Sequence, residues 1–303
     1  VMPAYNHERF VAETIDSVLC QTWQHLELII VDDGSTDGTA DVIRAYDDPR
    51  IQYHYQENQD AYNALNNGMA MAAGDYIAII NSDDVYHCTR LEELMSLLQA
   101  SDGACIFSDV APVDDDSKPL DDPEFGWNLW HQANRDYYFE KTGDLYRGFL
   151  HGNMMVTTSN LLMTAEAVKK VGGFTSLRYL HDYDYIFRLM LAYPDGVMYA
   201  DDRVLMNYRI HAGNTLSEAA ITGREQDLQV IRKYMLARCP DELHDIINTG
   251  VDRLRALDAE LADVRRQIAA RKLANSNPVD SIPTSALIRT VMSRLKSRLP
   301  GTG

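Results

Sequence analysis

Two apolar, strand-like runs that each end in acids constrain the fold of this chain most. Residues 26–31 (LELIIV) lead into Asp-Asp-Gly at 32–34, and residues 75–80 (DYIAII) lead into Asn-Ser-Asp-Asp at 81–84. Short β-rich apolar runs predict buried strands. Ligands of open α/β sheets bind just beyond the carboxyl ends of the strands. The sequence therefore predicts one pocket that receives acids from both strand ends.

The rest of the first two thirds of the chain fits the same architecture. From Val1 to about Leu205, strand-like runs alternate with amphipathic helical stretches. This alternation predicts an α/β fold in which helices cover both faces of a sheet. Between the two acidic strand ends, residues 61–73 place an apolar stripe on one helical face, and residues 73–75 mark the end of that helix. A strand, helix, strand crossover is expected there.

The pattern changes after Ser217, and we divide the chain into an α/β domain at 1–216, a helical extension at 217–274, and a linker with a basic amphipathic helix at 275–303. Apolar residues spaced by three and four predict a coiled coil over 250–272, which either forms a homo-oligomer or docks on the first domain. Residues 285–303 set four basic side chains opposite an apolar face, which suits peripheral contact with an anionic membrane. Packing against protein is the alternative.

Net charge narrows the class of ligand. The chain has 303 residues and a formal net charge of −17. General nucleic-acid binding is disfavoured, because phosphate contacts need clustered Lys and Arg. No apolar stretch approaches the roughly 20 residues that cross a bilayer. An acidic protein that handles a phosphorylated ligand needs a cation, so the acidic loops become the candidates for a metal site.

Cysteine usage and the amino terminus favour a cytoplasmic protein. The four cysteines are widely scattered and form no Cys-x-x-Cys pair, so neither a zinc knuckle nor a disulfide framework is expected; they are Cys20, Cys88, Cys105 and Cys239. No charged leader with an apolar segment precedes the first strand-like run. Both features predict a reducing cytoplasmic environment.

Three polar clusters are candidates for chemistry, and each has a plain structural alternative. Residues 32–37 form a tight polar turn that suits a nucleoside, or else cap the next helix. Residues 81–84 offer oxygen ligands to Mg²⁺ or Mn²⁺ bridging to a diphosphate, or else cap a helix at 91–98. Asp182 lies in the first turn of a helix whose dipole favours the ionised carboxylate, which suits a catalytic base or simply supports the helix start.

The order of short motifs along the first 216 residues resembles that of the family 2 glycosyltransferases. The motifs are VMPAYN at 1–6, LELIIVDDGSTDGT at 26–39, DYIAIINSDD at 75–84, VGGF with HDYDYIFRL at 171–189, and YRIHAGNT at 208–215. Each motif is degenerate by itself. Five in this order make the resemblance specific.

The resemblance implies a GT-A (nucleotide-diphospho-sugar transferase) fold, with a mixed central sheet flanked by helices and, here, a helical C-terminal extension. It implies an inverting, metal-dependent glycosyltransferase that uses Mn²⁺ or Mg²⁺. The donor is a nucleotide sugar, with UDP the expected carrier, and the acceptor is a hydroxyl of a saccharide or a lipid-linked molecule. Synthesis of bacterial surface polysaccharides or glycoconjugates is the expected setting.

The same resemblance implies roles for individual residues. The catalytic base is expected to be Asp182, the metal ligands Asp83 and His211, and the acceptor contacts Gly152 and His181. Donor contacts are expected from the first strand, the acid pair, the following helix and the late β-strand; they are Pro3, Ala4, Tyr5, Asn6, Asp32, Asp33, Asn66, Asn81, Ser82, Asp83 and Arg209.

Two positions depart from the family pattern. Asn81 stands where the first acid of the family's Asp-x-Asp motif is usual, which keeps a hydrogen-bonding side chain but removes one negative charge. His181 stands where the family has Glu beside the base, so any acceptor contact made by that carboxylate changes. The aromatic-rich stretch at 125–149 is expected either to stack on sugar rings or to pack inside the protein.

Two other functions remain open at this point. A sugar-nucleotide pyrophosphorylase also has an α/β nucleotide fold, but it opens with a Gly-rich phosphate loop where this chain has residues 3–6 (PAYN). A coiled-coil assembly protein that binds nucleotide sugars without transferring them would explain the helical extension together with Asn81 and His181.

Overall fold

The computed structural model describes residues 1–177, 180–211, 230 and 232–234 of the chain. The β-strands, in chain order, are β1 (Met2–Ala4), β2 (Leu28–Asp32), β3 (Ile51–Tyr55), β4 (Tyr76–Ala78), β5 (Val85–Tyr86), β6 (Cys105–Val113), β7 (Leu162–Thr164) and β8 (Val197–Arg209). The α-helices are α1 (Val11–Leu19), α2 (Thr39–Arg44), α3 (Ala61–Met71), α4 (Arg90–Ser101), α5 (Gly126–Asp136), α6 (Leu145–His151), α7 (Ala165–Val171) and α8 (His181–Ala192).

The strands form two sheets that adjoin at the amino terminus. β1, β2 and β3 are parallel in that order, and the other five strands form a mixed sheet in the order β4-β7-β6-β8-β5. The amino group of Val1 donates to the carbonyl oxygen of Ala78 at 2.8 Å, and the amide of Ile80 donates to the Val1 carbonyl at 3.0 Å. These bonds join the parallel strands to β4, so the predicted mixed sheet is confirmed.

Helices lie on both faces of the sheets because the strand side chains alternate. Phe107 of β6 packs in a core with α3 and α8, whereas its neighbour Ile106 packs in a second core with α1 and α4. Both side chains are fully buried, and each such burial contributes about 1.5–3 kcal/mol. The predicted α/β architecture and the helix α3 are therefore confirmed, but the simple crossover expected between the two acidic strands is wrong, because α2 and β3 lie between β2 and α3.

One predicted strand is shorter than its apolar run. The pattern predicted a strand over 75–80, but β4 ends at Ala78. Beyond it, the amide of Ile79 donates to Leu161 and the amide of Ile80 donates to Val1. Residues 79 and 80 thus bond two different segments, so the regular pairing of β4 with β7 ends two residues before the apolar run does. The bond to Val1 brings the chain before Asn81 next to the amino terminus.

The expectation that the cysteines form no disulfide is wrong. Cys20, just after α1, is bonded to Cys88, just before α4, with their Cα atoms 5.4 Å apart and a sequence separation of 68. The amide of Thr22 also donates to the Cys88 carbonyl at 2.7 Å. Tertiary packing creates this pair, so spacing along the sequence could not reveal it. The inference of a reducing compartment from cysteine spacing loses its basis.

The predicted coiled coil at 250–272 and basic helix at 285–303 lie outside the described residues, as does the predicted boundary at 216. Of the extension predicted at 217–274, the structure describes only residues 230 and 232–234. Within the described part of the chain, every helix is too short or too polar to cross a membrane.

Candidate active site

The loops after β1 and β2 lie at the same rim because the two strands are parallel and adjacent. Asn6 holds them together: its amide donates to Ser35 Oγ at 3.0 Å, and its side-chain oxygen accepts from the amide of Thr36 at 2.8 Å. Asn6 adopts a positive φ of 53°, which asparagine tolerates better than most residues. Next to it, the Tyr5 side chain is 47% exposed, whereas Pro3 and Ala4 are buried in β1.

The acid pair after β2 is buried and shapes this rim. Asp32 accepts from the amide of Ser35 at 2.9 Å and from the Tyr53 hydroxyl at 2.7 Å. Asp33 accepts from the amide of Gln59 at 2.8 Å. Burial, followed by the bond to Asp32, raises the pKa of Tyr53 to about 12. The two carboxyl groups thus hold the turn at the rim predicted for the nucleoside, and neither of them caps the next helix, α2, which begins at Thr39.

The second acidic loop forms a compact group with two histidines. Asp83 Oδ2 is 3.0 Å from His211 Nε2 and 4.0 Å from His7 Nε2. One ligand atom from each residue lies within 4.8 Å of the others. Burial alone would raise the pKa of Asp83, but the hydrogen bond with His211 and the nearby His7 bring it below its ordinary value. This donor set fits a divalent cation, and His7 was not among the residues predicted from sequence.

Asp84 anchors the loop instead of facing the histidines. Its carboxylate accepts from Ser159 Oγ at 2.5 Å, from Thr157 Oγ1 at 3.3 Å and from the amide of Arg209 at 3.0 Å. Burial, followed by repulsion from Asp83, raises the pKa of Asp84 to about 8. The loop is therefore tied both to β8 and to residues 157–159.

Arg209 was expected to contact the donor, but in the structure its side chain lies inside the protein and binds protein groups. Its side chain is fully buried, and its guanidinium pairs with Glu13 at 2.6 Å and with Ser117 Oγ at 2.9 Å. Its Nε donates to the carbonyl oxygen of Asp83 at 2.8 Å. Arg209 is the last residue of β8, and its guanidinium holds the backbone of the loop that contains Asp83.

Asp182 lies at the start of α8 and is also buried, with 8% exposure. Its Oδ2 accepts from Asn153 Nδ2 at 3.1 Å and its Oδ1 from the amide of Tyr183 at 2.7 Å. Burial raises the pKa of Asp182, a direction opposite to the one expected from its place in the first helical turn. A raised pKa makes the carboxylate a stronger base.

Residues 153–159 bring the second acidic loop and the start of α8 together. At one end Asn153 bonds Asp182; at the other, Thr157 Oγ1 accepts from Asn81 Nδ2 at 3.0 Å. Between them, Thr158 Oγ1 lies 3.3 Å from His181 Nε2. The segment turns at Val156, whose φ of 73° is rare for a β-branched residue. Strained backbone of this kind clusters at functional sites.

Asn66 lies in α3. Its side-chain amide, which was expected to contact the donor, bonds the backbone of another segment of the protein. Its Nδ2 donates to the carbonyl of Phe174 at 2.9 Å, and its Oδ1 accepts from the amide of the same residue at 2.7 Å. A Cβ added at Gly173 would lie 2.6 Å from Asn66 Oδ1, so only glycine fits beside this clasp. Asn66 thus fixes the loop that leads to α8.

Replacing Asn66 by alanine is expected to lower the free energy of unfolding by about 1–3 kcal/mol, because both backbone groups of Phe174 lose their partner. Urea denaturation measures this change. The neighbouring Asn67→Ala is the matched control, since its amide bonds Gln56 at the surface, and it should change stability by less than about 0.5 kcal/mol. Equal effects of the two substitutions would show that the clasp does not stabilise the fold.

Asp184, the second acid of the motif at the start of α8, serves to hold the fold together. Asp184 is 1% exposed and accepts from Thr175, Arg188, Lys233 and Tyr234 at 2.9, 2.8, 2.9 and 2.5 Å. Burial alone would raise the pKa of Asp184; these hydrogen bonds, led by those from Tyr234 and Lys233, bring it below its ordinary value. Asp184 therefore joins residues 233 and 234 to α8.

Asp184→Asn is expected to lower the free energy of unfolding by about 3 kcal/mol, because the partly buried Arg188 loses the charge that balances it. Thermal or urea unfolding at neutral pH measures the change. Asp47→Asn, an exposed acid on another part of the fold, should leave stability within about 0.5 kcal/mol of the native value. A loss no larger than that of the control would contradict the assigned role.

The expected acceptor residues flank the base. Gly152 follows the last residue of α6, where an added Cβ would lie 2.2 Å from Asn134 Oδ1, so a larger residue would displace the Asn134 side chain. His181 is held between the Leu177 carbonyl at 3.2 Å and Thr158. The aromatic residues at 125–149 differ in their exposure. Tyr146 is buried in the protein, whereas Trp130 is 40% exposed.

The two-sheet α/β arrangement is the GT-A fold. The family model for glycosyl transferase family 2 matches residues 1–158, and the chain belongs to that family. An uncharacterized glycosyltransferase of Rickettsia typhi is 31% identical over 229 residues, 72% of this chain and 65% of the relative. The chain thus spans slightly less than two thirds of that relative's length. The putative teichuronic acid biosynthesis glycosyltransferase TuaG of Bacillus subtilis is 37% identical over 124 residues, 40% of this chain and 49% of TuaG.

Solved structures of low identity share the fold. S. aureus TarS 1-349 in complex with UDP-GlcNAc has a TM-score of 0.61 at 16% identity, over 81% of this chain and 68% of TarS. The mannosyltransferase PcManGT from Pyrobaculum calidifontis, in complex with GDP-Man and Mn²⁺, has a TM-score of 0.58 at 18% identity, over 98% of this chain and 79% of PcManGT. The predicted family and GT-A fold are confirmed.

Proposed function

We propose that this glycosyltransferase moves a sugar from a nucleotide-sugar donor, with inversion of the anomeric centre, to a hydroxyl of a saccharide or lipid-linked acceptor. The observation that carries the proposal is the segment at 153–159. It contacts Asp182 at one end and the loop of Asp83 at the other. A base and a diphosphate site on the two sides of one sugar are what a single displacement requires.

In this scheme Asp182 accepts the proton of the acceptor hydroxyl as the new glycosidic bond forms and the bond to the diphosphate breaks. Its raised pKa favours that transfer, and Asn153 orients the carboxylate. Asp83 and His211 would hold Mn²⁺ or Mg²⁺, which when bound neutralises charge on the leaving diphosphate. Arg209 acts indirectly, through the backbone of Asp83.

The nucleoside is placed at the rim of β1 and β2. Tyr5 offers an exposed ring for stacking, and Asn6, Asp32 and Asp33 build the polar turn beside it. UDP is the proposed carrier, supported by the UDP-GlcNAc bound to TarS, with GDP the alternative supported by PcManGT. The similarity to TuaG supports a role in surface polysaccharide synthesis.

A panel of nucleotide sugars tests this function. The true donor should raise the melting temperature in the presence of Mn²⁺ and undergo slow hydrolysis or transfer. Proton NMR of the first product should then show the anomeric configuration opposite to that of the donor. Retention would contradict the mechanism, and donor binding without any turnover would favour a binding protein. Release of pyrophosphate from a nucleoside triphosphate would identify a pyrophosphorylase instead.

A further inference from the structure

We propose that His7 is a third protein ligand of the cation held by Asp83 and His211, and that the two imidazoles make this site prefer Mn²⁺ over Mg²⁺. The inference deepens the proposed function, on which it rests for the presence of a cation. His7 belongs to the loop after β1, far in sequence from the other two residues.

The distances fit one octahedral ion. With bonds of about 2.1 Å, ligands of such an ion are about 3.0 Å apart when adjacent and about 4.2 Å apart when opposite. His211 Nε2 is 3.0 Å from Asp83 Oδ2, and His7 Nε2 is 4.0 Å from the same oxygen. Both distances would allow one cation to contact Asp83 together with each histidine, and the three ligand atoms lie within 4.8 Å of one another.

The His7 ring is held in the orientation that a ligand needs. Its Nδ1 lies 2.8 Å from Ser82 Oγ, in the same loop as Asp83. When Nδ1 donates its proton to that hydroxyl, Nε2 carries the lone pair and faces the Asp83 carboxylate. Histidines that bind metals commonly use their second nitrogen in this way. The His7 amide also donates to Thr39 Oγ1 at 2.8 Å, which fixes the backbone.

The surroundings favour a ligand over a surface histidine. The His7 side chain is 22% exposed and that of Asp83 12%, so their mutual contact is largely shielded. The rings of His7 and His211 are 5.6 Å apart, and Phe10 packs against both, at 5.9 and 4.9 Å. One wall of the group is thus apolar, and its nitrogens converge on the carboxylate oxygen.

Two imidazoles change which cation is preferred. Mg²⁺ is a hard cation that favours oxygen ligands and retains much of its water, whereas imidazole binds transition ions, with Mn²⁺ the weakest binder of the first-row series. A site with Asp83 alone would bind both ions through oxygen. Adding His211 and His7 replaces two oxygen positions by nitrogen, which penalises Mg²⁺ more than Mn²⁺. His7 is therefore a determinant of metal choice.

Binding of Mn²⁺ to the full-length protein without nucleotide sugar tests the proposal, with electron paramagnetic resonance to measure Kd and Mg²⁺ as competitor. His7→Asn is expected to weaken Mn²⁺ binding by at least about 10-fold and Mg²⁺ binding by less than about 3-fold. His25→Asn, an exposed histidine elsewhere, is the matched control and should change neither. An unchanged preference in His7→Asn would overturn the proposal.

Counting the nitrogens on bound Mn²⁺ gives a second, independent readout. Pulsed resonance should detect two directly bound imidazole nitrogens in the native protein and one in His7→Asn. A single nitrogen in the native protein would show that His7 only pairs electrostatically with Asp83. If two nitrogens bind Mn²⁺ but no sugar is transferred, the ligand assignment stands and the proposed function fails. If sugar transfer requires the metal but only one nitrogen binds Mn²⁺, the proposed function stands and the assignment of His7 as a ligand fails.

Discussion

Asp182→Asn is expected to lower kcat for sugar transfer by about 10³-fold while the Kd of the nucleotide sugar changes less than about twofold. The amide keeps the volume of the side chain but cannot accept the proton of the acceptor hydroxyl. Asparagine keeps one side-chain oxygen, which can still accept from the amide of Tyr183, and Asn153 can turn its side-chain amide so that its Oδ1 accepts from the new Nδ2. The fold should therefore be preserved. Steady-state kinetics and donor titration by calorimetry measure the two effects.

The pH profile of the native enzyme supplies a second measure of this base. Because burial raises the pKa of Asp182, the carboxylate becomes protonated, and activity is lost, as the pH falls through a value above the 3.8 of an ordinary aspartate. The fall of kcat toward low pH should therefore occur above that value. The residual activity of Asp182→Asn should show no such fall. Asp136→Asn, an exposed acid, should keep the native profile. A variant of Asp182 that retains most of its activity would remove this residue from the mechanism.

Asp83→Ala is expected to reduce kcat/KM by at least about 10²-fold, equivalent to about 3 kcal/mol of transition-state stabilisation. The substitution removes the carboxylate shared by His7 and His211, so the Kd of Mn²⁺ should rise together with the KM of the donor. This differs from Asp182→Asn, in which donor binding is retained. Kinetics at several Mn²⁺ concentrations separate the two kinds of loss.

A matched substitution shows whether the loss is local. Asp116→Ala removes an exposed acid whose only described ion pair is with Lys118, and its activity and Mn²⁺ affinity should stay native. Native turnover by Asp83→Ala, or by the native enzyme in excess chelator, would contradict a metal site at Asp83.

The sequence predicted the parts of the site that follow from local rules. Apolar runs ending in acids located β2 and β4, and the parallel arrangement then placed Asp33 and Asp83 near one end of the fold. Helical periodicity identified α3 and α8, and the order of motifs identified the family. These features depend on spacing within short segments, which a single sequence displays.

Other parts depend on contacts between distant segments. His7 approaches Asp83 only because β1 and the loop after β4 are joined through Val1, and nothing in residues 5–10 marks a metal ligand. The one available signal is a histidine directly after Tyr5 and Asn6, and a lone histidine is a weak sign of a metal ligand. The Cys20–Cys88 pair arises in the same way, from the packing of α1 on the loop before α4.

Competing energies explain the remaining differences. The resemblance placed Arg209 at the donor, but its buried guanidinium pairs with the half-exposed Glu13 and donates to the carbonyl of Asp83. The first helical turn suggested an easily ionised Asp182, yet burial of the carboxyl raises its pKa. Burial is a property of the assembled fold, so neither outcome was visible in the order of residues.

A crystal structure of the enzyme with UDP and Mn²⁺, with the metal located by anomalous scattering, tests the arrangement of the two centres most directly. The peak should lie within bonding distance of Asp83, His211 and a diphosphate oxygen, with the carboxylate of Asp182 opening onto the space next to the diphosphate. A peak bonded to other residues, or a diphosphate bound where Asp182 faces a different surface, would contradict the account.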